Sequence, residues 1–117
     1  MAGEVVVWDV STGVALHRLR GHRSCVWNVA FSPDGKRLAS ASGDRTSTRV
    51  PGEVKIWDLD TGQNVCTLRD HAGAVYGVAF SPCGRRLASA GLEGVVKILD
   101  GTPVAESPAR DLSPANN

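Results

Sequence analysis

A serine, a histidine and an aspartate are the parts of a nucleophilic relay, in which a hydroxyl attacks, an imidazole carries its proton and a carboxylate holds the imidazole. This chain places His22, Ser40 and Asp44 within one short stretch. The surroundings argue against hydrolysis. No Gly-x-Ser-x-Gly turn encloses Ser40. The set also recurs, altered, as His71, Ser89 and Glu93. A structural position repeats in that way and a single active site does not. Other chemistry is missing too. Gly35-Lys36 lacks the upstream glycine of a phosphate loop. His17 and His22 are five residues apart and His71 is remote, which is not metal-ligand spacing. Cys25, Cys66 and Cys83 form no Cys-x-x-Cys pair, so they read as reduced thiols rather than a redox or zinc motif. The chain is expected not to be an enzyme and to need no metal and no cofactor.

The elements that carry these residues come from a repeat. Asp9, Thr12-Gly13, Leu19 and His22 return 49 residues later as Asp58, Thr61-Gly62, Leu68 and His71. Val29-Ala30-Phe31-Ser32-Pro33 and Leu38-Ala39-Ser40 return at the same offset as 78–82 and 87–89. Val54-Lys55-Ile56-Trp57-Asp58 returns as Val96-Lys97-Ile98-Leu99-Asp100 with an offset of only 42. The difference is accounted for by Ser47–Glu53, a loop insertion present in the first copy alone. The unit is therefore about 42 residues, a length typical of repeat architectures. Within it, short β-rich runs alternate with turn signals. Ser32-Pro33-Asp34-Gly35 has Pro, Asp and Gly where a tight turn wants them, and Ser81-Pro82-Cys83-Gly84 substitutes Cys for the Asp. Strands are expected at 4–8, 15–19, 26–31, 37–42, 54–57, 64–68, 75–80, 86–90 and about 95–99.

Four short antiparallel strands per unit, with Gly21-His22 ahead and Trp57-Asp58 behind, resemble the WD40 repeat. The resemblance covers residues 4 to about 100. It implies an all-β fold: part of a β-propeller of four-stranded antiparallel blades, not closed within one chain. Residues 1–20 would be the last two strands of one blade, 21–70 a complete blade with the 47–53 insertion, 71–100 a partial blade, and 101–117 a disordered tail with three prolines. The resemblance also implies a buried tetrad of His22, Ser40, Asp44 and Trp57. In the second copy the matching positions are His71, Ser89, Glu93 and Leu99. Leucine has no indole N–H to donate, so this second network is expected to be the weaker one.

The same resemblance places partner contacts on the loop rim, at Cys25, Trp27 and Gly43 in the first copy and Ala74, Tyr76 and Leu92 in the second. Trp27 and Tyr76 alternate with packing residues in a chain that is only 5% aromatic. Rings with a polar tip are common interface anchors. Arg23 is a polar candidate beside them. The function expected is a protein-protein interaction scaffold, or a piece of one, with protein partners. An alternative is a unit that assembles into a homo-oligomeric propeller, strand 15–19 of one copy completing the sheet that ends at 95–99 of another. The remote alternative is the Ser-His-Asp hydrolase.

Composition restricts the field. A net charge of +1 sets up no field toward nucleic acid or a membrane surface. Ten arginines against three lysines are scattered rather than clustered. The N-terminus carries Glu4 and only a short apolar run, so neither a signal peptide nor a membrane span is expected. A cytoplasmic protein is expected, with the nucleus also open.

Overall fold

A computed structural model describes residues 3–46 and 49–100. These residues form nine strands: β1 (Glu4–Asp9), β2 (Val14–Arg20), β3 (Val26–Phe31), β4 (Arg37–Ser42), β5 (Glu53–Asp58), β6 (Gln63–Leu68), β7 (Val75–Phe80), β8 (Arg86–Gly91) and β9 (Val96–Asp100). They pair antiparallel into three open sheets: β1-β2, β3-β4-β5-β6 and β7-β8-β9. The tail 101–117 lies outside the described residues, as do Ser47 and Thr48 of the insertion.

Turn chemistry sets the hairpins. The Gly35 amide donates to the Ser32 carbonyl at 2.9 Å, while Ser32 and the Lys36 amide donate to the Asp34 carboxylate. The second copy keeps the backbone bond, Gly84 to Ser81 at 2.8 Å, with Cys83 Sγ against Ser81 Oγ in place of the carboxylate. The Asp-x-x-x-Gly turns close the same way, Gly13 onto Asp9 and Gly62 onto Asp58, both at 2.7 Å. One boundary differs from the sequence reading. Glu53, assigned to the insertion, is the first residue of β5, pairs with Ser42 and is buried.

The sheets stack face to face, and strand alternation sends every second side chain to one neighbour. Val5, Val7 and Leu19 of the first sheet meet Val26, Leu38 and Trp57 of the second. On its other face the second sheet presents Ala39, Ala41, Val54, Ile56 and Leu68 to Val75, Val78, Leu87 and Leu99 of the third. Among the described residues, none packs on the outer face of the third sheet. Val96 and Ile98 stand at the repeat positions of Val54 and Ile56, yet Val96 is 56% exposed where Val54 is 2%. At the other end Trp8, Val14 and Leu16 are exposed.

Candidate functional site: buried histidine networks and the loop rim

His22, just after β2, is buried against β4 and β5, its ring edge-on to Trp57. Trp57 Nε1–H donates to Ser40 Oγ at 2.8 Å, and Ser40 in turn lies 2.5 Å from His22 Nε2. Ser42 Oγ sits 2.7 Å and Glu53 Oε1 3.4 Å from His22 Nδ1, and the carboxylate on that side favours the tautomer with the proton on Nδ1. Ser40 can then donate to Nε2 while accepting from the indole. Burial drives the His22 pKa below its ordinary value; the Glu53 carboxylate opposes this and the Lys55 ammonium adds to it. The imidazole is therefore held neutral.

Asp44, expected as the fourth member, does not reach the histidine. Its carboxylate turns outward and accepts from both the amide and the hydroxyl of Thr46, at 2.8 and 2.5 Å, and this holds its pKa low. The reason is the insertion. The tight return that would point this side chain inward is opened by the extra residues. The carboxylate that faces His22 comes instead from Glu53, where the chain rejoins β5. Burial works to raise the Glu53 pKa, but Arg69, Lys55 and His22 together bring it below its ordinary value. Arg69 reaches Glu53 at 3.0 Å and Arg23 at 3.7 Å. Arg23, expected as a rim contact, is thus committed in part to this buried acid. Beside the expected Ser40, the histidine also uses Ser42. Glu53 was missed. Its signal was a lone acid next to the Val-Lys-Ile-Trp run, at the one place where the repeat lengthens.

In the second copy His71 bonds Ser89 Oγ through Nε2 at 2.8 Å and Glu93 through Nδ1 at 2.9 Å. Here the return is short, with Gly94 donating to Gly91 at 3.0 Å, and Glu93 points inward. Gly91 is what admits it. A Cβ at that position would lie 2.6 Å from both His71 Nδ1 and Glu93 Oε1, which is where Ser42 stands in the first copy. Burial raises the Glu93 pKa, but its own amide, His71 and the Ala72 amide outweigh that and leave it low. Leu99 replaces the tryptophan, so no indole donates to Ser89. Among the described residues, Glu53 Oε1 and Glu93 Oε1 are the buried side-chain oxygens without a hydrogen bond.

The rim gathers several of the expected contact residues. Trp27 and Tyr76, from different sheets, meet edge-to-face with ring centres 5.7 Å apart. Trp27 Nε1–H donates to the Gly43 carbonyl at 2.9 Å, and the Arg45 guanidinium lies 5.2 Å over the indole. Arg45 was not foreseen; its signal was a cation two residues after a glycine predicted to flank the ring. Cys25 is exposed and lines a shallow pocket with Ser24, Trp27, Gly43, Asp44 and Arg45. Tyr76 and Leu92 are each more than a third exposed. Ala74 is a correction. It is fully buried, sealed against Gly43 so closely that a Cβ on Gly43 would overlap its Cα. Gly43 has φ 151°, so both space and backbone require glycine there. Ala74 therefore joins the sheets and is not available to a partner.

The model of the WD domain, G-beta repeat family matches residues 13–47 and 62–100, together more than half of the chain. The chain belongs to the WD40-repeat family. Its three sheets are blades of a partial propeller, and the repeat is one that serves protein-protein interaction scaffolds. Similar proteins include the Intraflagellar transport protein 122 homolog of Xenopus tropicalis, 45% identical over 42 residues, which is 36% of this chain and 4% of that protein. The Periodic tryptophan protein 2 homolog of Neurospora crassa is 46% identical over 44 residues, covering 38% of this chain and 5% of that protein. The F-box-like/WD repeat-containing protein TBL1X of Mus musculus is 56% identical over 32 residues, covering 27% and 6%. The matches thus span about a twentieth of those relatives' lengths. No helix among the described residues is long and apolar enough to cross a membrane.

Proposed function

We propose that this chain is a non-catalytic scaffold that receives a protein partner on the loop rim formed by Trp27, Tyr76, Arg45, Cys25 and Leu92. The observation that carries this reading is the Arg45–Trp27–Tyr76 stack. It sets two aromatic rings and a cation together across two blades, with Tyr76 more than a third exposed. Pre-ordered rings and arginine are the residue types that dominate binding energy, because little freedom is lost when a partner arrives. The buried histidine networks hold the rim loops in place and touch no substrate. Ser40 is fully buried and receives the Trp57 N–H, and Asp44 is not bonded to His22, so a Ser-His-Asp relay has no support. The reduced thiols support a cytoplasmic or nuclear setting.

A test compares proteins captured by the chain, by Tyr76→Ala and by Asp60→Ala, an exposed residue at the opposite end of the blades. Partners lost with Tyr76→Ala and kept with Asp60→Ala support the rim; identical capture by all three contradicts it.

The two bare end faces support a further reading, that additional blades flank these. Val96 and Ile98 are exposed at the positions where the second blade's Val54 is buried and Ile56 partly buried against the third sheet, and exposed apolar sheets invite a partner sheet. A second copy or more of the same polypeptide would serve. A discrete trimer or tetramer by light scattering would favour the homo-oligomer, and a monodisperse monomer would end it.

A further inference from the structure

The two blade interfaces are built from matching positions, and one is hollow. At the first, Leu19 of β2 packs against Leu38, Trp57 and Leu59 and is 1% exposed, while His17 Nε2 bonds the Leu59 carbonyl at 2.5 Å and its ring lies against Gly62. At the second, the repeat puts Leu68 where Leu19 stood, Cys66 where His17 stood and Leu99 where Trp57 stood. An imidazole and an indole have been replaced by two smaller groups. A cavity of about 250 Å³ results, walled by Ile56, Cys66, Leu68, Phe80, Leu87 and Leu99. Three exposed arginines, Arg37, Arg85 and Arg86, complete its lining.

We propose that this interblade cavity takes one aromatic side chain of an acidic peptide segment from a protein partner. The volume is below that of sites for drug-sized ligands, roughly 300–1,000 Å³, and suits a single ring. The walls are apolar, and the space is the one an indole fills at the matching interface. The three exposed arginines in its lining favour carboxylates on neighbouring residues of the segment. The chain's own residues 101–117 hold acids but no aromatic residue, and so cannot supply the ring. The cavity lies at the opposite end of the strands from the Trp27–Tyr76 rim, so this site stands or falls separately from the rim reading.

Cys66 in the wall reports occupancy. In a Cys25→Ser/Cys83→Ser background of the full chain it is the one remaining thiol. Its alkylation rate is measured with and without the capped tripeptide Asp-Trp-Glu. The expected result is slowing by about five-fold at a peptide concentration about four times its Kd. No slowing is expected with Asp-Ala-Glu, and weaker slowing with Lys-Trp-Lys. Leu99→Trp, which refills the space from within, should be slow without peptide and show no further protection. Tyr76→Ala should behave as the parent. Equal protection by the ring-less tripeptide, or protection persisting in a Leu99→Trp variant that melts cooperatively, would overturn the proposal. So would an unchanged rate with Asp-Trp-Glu. Protection that instead grows with protein concentration, without peptide, would assign the cavity to a second copy through its exposed Trp8 and overturn it equally.

Discussion

The second and third blades keep the same histidine–serine pair but complete it differently. Where the second blade meets the blade before it, its own indole and the first blade's imidazole seal the contact, two serines bracket the histidine, and the acid arrives from a lengthened loop. Where the third meets the second, its leucine and the second blade's cysteine replace indole and imidazole, glycine replaces one serine, and a glutamate on a short turn reaches the ring directly. The lesson is that the histidine demands an acceptor at Nδ1, whereas the position that supplies it is negotiable. What is not negotiable is volume. Where the large ring is lost, a cavity stays open, because packed sheets relax only in part around missing atoms.

The comparison can be broken most severely by making the second blade like the third. Trp57→Leu should cost about 3 kcal/mol, by opening a cavity at the first interface and leaving buried Ser40 without its indole donor. The urea midpoint of the chain measures it, and a loss below about 1 kcal/mol would mean that the indole is not the seal it is taken to be. Next in size is the acid. Glu53→Gln should cost about 2 kcal/mol, since buried His22 loses its carboxylate and Arg69 loses its partner. Asp44→Asn should leave the midpoint essentially unchanged. The reverse ranking would restore Asp44 to the network. Leu99→Trp should raise stability by about 1 kcal/mol, by filling the second interface and offering Ser89 an N–H.

Acid should erode the network from two sides. His22 has its pKa lowered in the fold, so the unfolded chain takes up its proton first. Stability is full above about pH 6.5, the ordinary histidine value, and declines as pH falls below it. Glu53 and Glu93 are also lowered, so their contribution is present above the ordinary glutamate range and is lost as pH falls through their folded values. Both signs agree. The melting temperature should be flat from pH 7 to 8 and fall continuously below 6.5, and His22→Gln should flatten the upper part of the fall. A maximum at pH 5 would contradict this assignment.

Much of the architecture was legible in the residues. Period-2 alternation, the Pro-x-Gly turns and the repeated Asp-x-x-Thr-Gly corners placed all nine strands to within about a residue. The hidden part depended on loop length rather than residue type. Asp44 carries the right chemistry at the right distance from Trp57 once the insertion is set aside, but the insertion is physically present and redirects it. Glu53 looked like loop because the second copy has no equivalent. Ala74 looked accessible because its position is open in the repeat pattern; that Gly43 presses onto it is a contact between blades, which the periodicity of one blade does not report. The Cys66 and Leu99 replacements were each visible. That they meet at one cavity became evident only when the sheets were stacked.

Amide hydrogen exchange of the full chain, read residue by residue, tests the central contrast most directly. If the missing rings loosen the third blade, the β8 and β9 amides should exchange through a lower-energy opening than those of β4 and β5, and Leu99→Trp should slow β8 and β9 selectively. Equal protection of the two blades, or slowing spread evenly over both in the variant, would contradict the account.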